Sequence, residues 1–168
     1  LPDGTPKVIY LQDMLDHAFG QGTTQVICPI TDAFVRHHGA LGGFVRIWMR
    51  DTQLTVQEVI AKVKEIDGVE LALTKDEACR QFELPADREG DVVVIGDAGT
   101  VIGASVSDHD LSNLNDARLR SHGAVAEARV PFILNRPLNQ KYAERAAHVP
   151  LKSHFIFDFA INGVAARV

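Results

Sequence analysis

Residues 25–104 alternate between short apolar runs and stretches in which apolar residues recur with a helical period. In the segment TVQEVIAKVKEIDG, apolar side chains return every three or four positions from Val56 to Ile66, the spacing of one helix face. Thr55 supplies an N-cap before this helix and Gly68 a stop after it. Together with the flanking apolar runs, the order is β, β, α, β, α, β, β. This order predicts an α/β sandwich with a ferredoxin-like arrangement.

The individual elements follow from the same patterns. Strands are predicted at 25–30, 44–50, 69–73, 91–95, 100–104 and 130–134, and helices at 11–20, 55–68, in TKDEACRQFEL and in FIFDFAINGVA. The third of these helices begins with a capping box of Thr74 and Glu77. The strands at 91–95 and 100–104 are expected to form a hairpin across a Gly-Asp-Ala-Gly turn. Between 105 and 129 the chain is polar and weakly periodic, which is typical of a functional loop.

Composition narrows the class of protein. The 168 residues are enough for a buried core without disulfides, and the net charge of −5 disfavours nucleic acid or an anionic membrane as a partner. No apolar run approaches the ~18 residues of a membrane span, and the given sequence shows no signal-peptide pattern. Cys28 and Cys79 form no CxxC pair, so we expect buried free thiols in a reducing cytoplasm.

His122 is the main candidate for a functional residue. It lies in a Ser-His-Gly loop just before the apolar run Val130–Leu134. An imidazole binds Zn²⁺ through one nitrogen while a second-shell group holds the other, and a glycine beside it allows close approach of the backbone. The alternative is a loop histidine that is hydrogen-bonded to the backbone. The residues alone leave both interpretations open.

Other polar groups give weaker signals. Asp108, His109 and Asp110 are consecutive, which favours a solvated acidic turn over an ion site. Asp32, His37 and His38 fit neither a helix face nor a strand face, so a loop packed on the sheet is favoured over a pocket. The GDAGTVIG segment opens no helix, which argues against a phosphate-binding loop. The residues by themselves therefore indicate an α/β domain without a complete catalytic constellation.

Several longer segments carry a resemblance to a known family. LPDGTPKVIYLQDML, CPITDAFVRHHGALGGF, RQFELPADREGDVVVIGDAGTVIG, HDLSNLNDARLRSHG and VPFILNRPL resemble the phosphonoacetate hydrolases of the alkaline phosphatase superfamily. The resemblance runs from about Leu1 to the end of the chain, and LRSHG followed by VPFILNRPL is its most specific part.

The resemblance implies a fold and a metal site. The superfamily core is a β-sheet flanked by helices, with two zinc ions at the strand ends, and a small α/β cap is inserted before the last histidine ligand. On this basis residues 1–24 are a connector, 25–107 the cap and 108–168 a return to the core through a strand and a helix. His122 matches the last zinc ligand.

The resemblance also implies a reaction. Phosphonoacetate and water would give acetate and phosphate, with a threonine hydroxyl, activated by zinc, attacking phosphorus. The carboxylate of the substrate would stabilise the departing carbon, so simple alkyl phosphonates should not react. Lys7, Arg118 and Arg120 are candidates for binding that carboxylate, although a surface position is favoured for each.

This chain departs from the family pattern in what it lacks. The threonine nucleophile and the other zinc ligands are expected before Leu1, and a catalytic zinc site needs at least three protein ligands. We therefore predict a C-terminal part that is inactive alone and needs the N-terminal part of the same enzyme, with a homodimer as the expected assembly. The alternatives are another phosphodiesterase or pyrophosphatase of the superfamily, or a non-catalytic module that binds a small molecule.

Overall fold

A computed structural model describes residues 5–29, 41–109, 111, 112, 119 and 122–165. The chain divides into two compact units, Leu1–Ala128 and Arg129–Val168. Each unit is described by itself. The predicted boundaries at residues 24 and 107 remain a prediction.

The described residues of the first unit form two sheets and three α-helices. In chain order its elements are β1 (Val8–Tyr10), α1 (Leu11–Phe19), β2 (Thr24–Ile27), β3 (Phe44–Met49), α2 (Val56–Lys64), β4 (Val69–Thr74), α3 (Lys75–Phe82), β5 (Val92–Gly96) and β6 (Val101–Gly103). Four strands form an antiparallel sheet in the order β2-β3-β5-β4. The other two strands, β1 and β6, form a parallel pair in which Val8 lies opposite Val101.

Helices α2 and α3 begin with the same local device. The Glu58 amide donates to the Thr55 hydroxyl at 3.3 Å, and Glu58 Oε2 accepts from the Thr55 amide at 2.8 Å. Thr74 and Glu77 repeat this reciprocal pair at the start of α3. Both capping boxes satisfy backbone amides that would otherwise lack a partner in the first turn. The predicted starts of both helices are confirmed.

The core of the first unit lies on both faces of the antiparallel sheet. Every residue of β5 is buried. Val92 and Val94 belong to the cluster that contains Val59 and Val63 of α2. Because side chains alternate between the two faces of a sheet, Val93, which lies between these two valines, packs in a second cluster with Ala78 of α3. The two helices thus cover opposite faces, which explains the uninterrupted apolar sequence of β5. The predicted mixed α/β class is confirmed.

The predicted hairpin between the strands at 91–95 and 100–104 is wrong. Thr100 N donates to Asp97 O at 3.1 Å and forms a tight turn, yet β6 leaves the antiparallel sheet and pairs with β1. The reason is that β3 and β4 already occupy both edges of β5. No edge of β5 is left for β6.

The second unit contains helices α4 (Gln140–His148) and α5 (Phe155–Asn162). The ring of Phe159 is fully buried and meets Phe132 and Tyr142 edge to face, at centroid distances of 5.3 and 5.0 Å. Asp158 accepts from the Tyr142 hydroxyl at 2.9 Å and from Arg145 at 2.7 Å. The prediction of α5 is confirmed, whereas the sequence patterns do not predict α4.

The predicted strand at 130–134 is also wrong. These residues form no strand, and Pro131 has no amide hydrogen to contribute to a ladder. Ile133 is 79% exposed, whereas Phe132 of the same run packs edge to face on the buried Phe159. Among the residues described, no helix has the length and apolar character needed to cross a membrane.

Candidate metal-ligand site

The backbone at His122 is attached to the segment that leads into β3. Gly43 N donates to His122 O at 2.7 Å, and Gly96 N donates to Gly43 O at 2.9 Å. Gly123 adopts a φ of 86°, a left-handed conformation that favours glycine and turns the chain immediately after the histidine. The loop that carries His122 is therefore tied to the end of β5 through Gly43.

The imidazole of His122 lies against Gly42. A Cβ atom added to Gly42 would stand 2.9 Å from His122 Cε1 and 3.0 Å from Nδ1, so the ring rests on bare backbone. Nδ1 is buried and has no hydrogen-bond partner among the described residues. A buried polar atom without a partner is uncommon in native proteins and needs an explanation. A group outside the described residues would provide one.

The donor set limits what the chain can bind by itself. A histidine that binds zinc uses one ring nitrogen for the metal and the other for a second-shell contact. A buried imidazole with one nitrogen lacking a partner fits that chemistry. Across the described residues, however, no three histidine, cysteine, aspartate or glutamate side chains cluster to hold an ion. His122 fits a metal site only as one member of a set that is completed by other residues. Its ligand role remains a prediction.

His109 has a structural position rather than an exposed one. Its side chain is 7% exposed, its Nε2 accepts from the Ala104 amide at 2.9 Å, and its ring stacks near Tyr10. Asp108 is exposed and accepts from the Ser105 hydroxyl at 2.6 Å within the turn Val106–Asp108. The predicted acidic turn at Asp108 is found, while burial of His109 at the end of β6 was not anticipated.

Lys7 is held by two carboxylates of neighbouring loops. Its Nζ lies 2.9 Å from Asp67 Oδ2 and 3.6 Å from Asp97 Oδ2, and the hydrogen bond to Asp67 is the main cause of its raised pKa. A cation that is neutralised in this way is a poor candidate for a substrate carboxylate. The remaining candidates, Arg118, Arg120, Asp32, His37, His38 and Asp110, lie outside the described residues.

Both cysteines are unpaired, as predicted, but both are half-buried rather than buried. Burial raises the pKa of the Cys28 thiol to about 11, so the thiol is protonated at neutral pH. A protonated thiol is neither a nucleophile nor a ready metal ligand, which argues against a catalytic role for Cys28.

Comparison with solved structures identifies what the chain is similar to. Two crystal structures of phosphonoacetate hydrolase from Sinorhizobium meliloti 1021 are each 40% identical to it in sequence. The structure in complex with phosphonoformate gives a TM-score of 0.80, and the one in complex with phosphonoacetate gives 0.79. In both cases the match covers 98% of this chain. This chain is a partial match to phosphonoacetate hydrolase.

The match covers only part of each solved phosphonoacetate hydrolase chain. The chain spans 38% of the length of the phosphonoacetate hydrolase chains that it matches. No protein-family model matches the sequence. The predicted resemblance is confirmed, and with it an α/β architecture related to the alkaline-phosphatase-like fold of phosphonoacetate hydrolase.

Proposed function

We propose that this chain is the C-terminal part of a phosphonoacetate hydrolase, an enzyme that converts phosphonoacetate and water to acetate and phosphate. The observation that carries the proposal is the 40% identity to phosphonoacetate hydrolase structures over 98% of the chain. One of those structures is a complex with phosphonoacetate itself. Identity at this level over nearly the whole chain supports a shared reaction more strongly than fold similarity alone.

In this proposal His122 is one ligand of a two-zinc site. Zinc would supply a Lewis acid that lowers the pKa of the attacking hydroxyl and offsets the charge on the phosphoryl oxygens. The chain's own contribution is to fix the imidazole, because Gly43 holds the His122 carbonyl at 2.7 Å and Gly42 lies against the ring. The threonine nucleophile and the other ligands belong to the rest of the enzyme, so the isolated chain is expected to be inactive.

Exposed apolar side chains of the second unit support an interaction with the rest of the enzyme. Phe157 and Ile161 lie four residues apart on one face of α5 and are 71% and 76% exposed. Ile133 and Val130 add further exposed apolar side chains to the same unit. Apolar surface of this kind usually marks an interaction site. We propose that it packs against the rest of the enzyme; the homodimer and the cytoplasmic location implied above remain predictions.

The decisive test replaces His122 in the complete enzyme. We expect His122→Ala to remove one of two bound zinc ions and to abolish phosphonoacetate hydrolysis. The matched control is His148→Ala, because His148 is an exposed histidine at the end of α4. Metal content by mass spectrometry and phosphate release are the measurements. Unchanged zinc content and turnover in His122→Ala would contradict the ligand role.

A substrate panel separates the alternatives. The proposal predicts release of phosphate from phosphonoacetate and none from methylphosphonate, because only the former stabilises the departing carbon through a carboxylate. Preferred cleavage of a phosphodiester or of pyrophosphate would instead indicate another enzyme of the superfamily. Binding of a small molecule by the chain without zinc, and no hydrolysis by the complete protein, would indicate a non-catalytic module.

A further inference from the structure

The contact between Gly42 and His122 leaves no room for a side chain. A Cβ at Gly42 would approach His122 Cε1, Nδ1 and the carbonyl oxygen to 2.9, 3.0 and 3.1 Å. All three distances are shorter than the separation of about 3.5–4.0 Å at which non-bonded heavy atoms ordinarily pack. Gly42 is not among the glycines with positive φ. The residue is therefore required for space rather than for an unusual backbone conformation.

Gly42 is itself held in place by the sheets. Ile102 N of β6 donates to Gly42 O at 2.7 Å, and Gly42 N donates back to Ile102 O at 3.5 Å. The next residue, Gly43, receives the hydrogen bond from Gly96 at the end of β5. The backbone at Gly42 cannot retreat without breaking these bonds. An added side chain would therefore move the His122 ring.

A zinc ligand tolerates little movement. The groups that orient a ligating histidine affect metal affinity almost as strongly as the ligand itself, and small losses of alignment weaken binding. Backbone packed against both Cε1 and Nδ1 fixes the plane of the ring and shields one nitrogen from solvent. That fixed plane sets the direction in which the imidazole can offer its other nitrogen.

We propose that Gly42 is a positioning residue for His122: its bare backbone is the platform that sets the orientation of the imidazole in the zinc site. This inference rests on the proposed function above. It assigns to Gly42, two residues before β3, control over how well one zinc ion is bound.

The first test measures zinc binding by the complete enzyme. Gly42→Ala is expected to weaken the affinity for one of the two zinc ions by about 10- to 100-fold, as loss of ligand orientation does elsewhere. The matched control is Gly99→Ala, because Gly99 also has no positive φ and a Cβ there would meet only Asp97 Oδ1, at 3.8 Å. Chelator competition gives the affinities, and the absorption spectrum of the cobalt-substituted enzyme reports ligand geometry. Wild-type affinity and spectrum in a folded Gly42→Ala enzyme would overturn the proposal.

A second test needs neither zinc nor activity. In the metal-free complete enzyme, Gly42→Ala should lower Tm by a few degrees because the methyl group overpacks against the ring. In a His122→Ala background the same change should cost little, because the ring is gone. Such a double-mutant cycle isolates the contact. Recovery of folding in the double variant would support the platform even if Gly42→Ala alone failed to fold; an equal loss in both backgrounds would overturn it.

The two proposals fail in different ways. If His122→Ala leaves zinc content unchanged, the proposed ligand role fails while the coupling between Gly42 and His122 in the metal-free complete enzyme can still be measured. If His122→Ala removes zinc and Gly42→Ala binds it normally, the proposed function stands and the positioning role is refuted.

Discussion

Arg46 on β3 donates a hydrogen bond from Nε to the carboxylate of Glu89 at 2.5 Å, and Glu89 is completely buried. Gly90 N donates to the same oxygen at 2.9 Å, while Oε2 has no partner among the described residues. A buried charge is tolerated only when it is paired, and removing one partner leaves the other uncompensated. The pair thus fixes the chain just before β5.

Arg46→Ala should lower the free energy of unfolding of the chain by about 3–5 kcal/mol, because Glu89 would remain buried without its cation. Urea denaturation followed by circular dichroism is the measurement. Arg88→Ala is the control: its side chain is 81% exposed, its contact with Asp87 spans 3.6 Å, and it should cost less than about 1 kcal/mol. Similar losses in both variants would contradict the role of the buried pair.

Thr55→Ala should lower the free energy of unfolding by about 1 kcal/mol, because the N-cap of α2 and half of its capping box are lost. Thr52→Ala changes the same residue type at an exposed bend three positions earlier and should have little effect. Urea midpoints of the two variants provide the comparison. An equal response would mean that the capping box contributes nothing measurable.

The effect of Thr55→Ala should depend on pH. Hydrogen bonds from the Thr55 hydroxyl and then from its amide lower the pKa of Glu58 in the folded state. Stability from this carboxylate is therefore present above its unfolded pKa of about 4.3 and is lost as the pH falls through the lower, folded value. The stability gap between wild type and Thr55→Ala should narrow in acid. A gap that stays constant between pH 7 and pH 3 would exclude this linkage.

Phe159→Ala should destabilise the second unit by about 3–5 kcal/mol, because the ring is fully buried between Phe132 and Tyr142. Phe157→Ala removes the same side chain from the exposed face of α5 and should cost less than about 1 kcal/mol in the isolated chain. Hydrogen exchange of amides in α4 and α5 would measure both. Equal loss of protection in the two variants would show that the aromatic cluster is not the core of this unit.

Cys28 should resist alkylation in the folded chain. With a pKa of about 11, roughly 0.1% of this thiol is ionised at pH 8, and the thiolate is the reactive form. Iodoacetamide labelling, quantified by mass spectrometry, should therefore be slow at pH 8 and accelerate as the pH rises. Labelling in urea provides the control, since burial no longer acts there. Rapid modification of folded protein at pH 8 would contradict the raised pKa.

Local signals predicted the helices well. The capping boxes at Thr55 and Thr74, and Gly20 as the C-cap of α1, are interactions between residues close in sequence, so the sequence contains all the information needed. Helix α4 was not predicted because its sequence is largely polar, although its N-cap is a favourable residue, Asn139, whose side chain accepts from Tyr142 N at 3.1 Å. The motif Asn139–Tyr142, read as an N-cap, could have revealed it.

Pairing between distant strands could not be predicted in the same way. The turn at Asp97–Thr100 has the composition of a hairpin, and only the occupied edges of β5 exclude that pairing. The run Val130–Leu134 has strand composition, but the structure gives it no partner strand in its unit. Such outcomes depend on which edges and faces are already taken, and this information is not local.

The candidate site shows the same limit. The Ser-His-Gly loop could be singled out from the sequence. The ligand role of His122 was predicted because the segments around this loop resemble phosphonoacetate hydrolases. Gly42 carries no local signal of its role, because its contact with the ring joins residues far apart in the chain. Buried Glu89 was also missed, since REGD carries no signal of burial.

The parallel pair of β1 and β6 has a consequence for the order of folding. Val8 meets Val101 only after the chain has travelled through the entire antiparallel sheet and returned. Closing so wide a loop costs conformational entropy, and two three-residue strands offset little of that cost. The residues between them, from β2 to β5, must therefore fold first and bring β1 and β6 together. We therefore expect β1 to dock last on the folding pathway and to detach first when the native state opens.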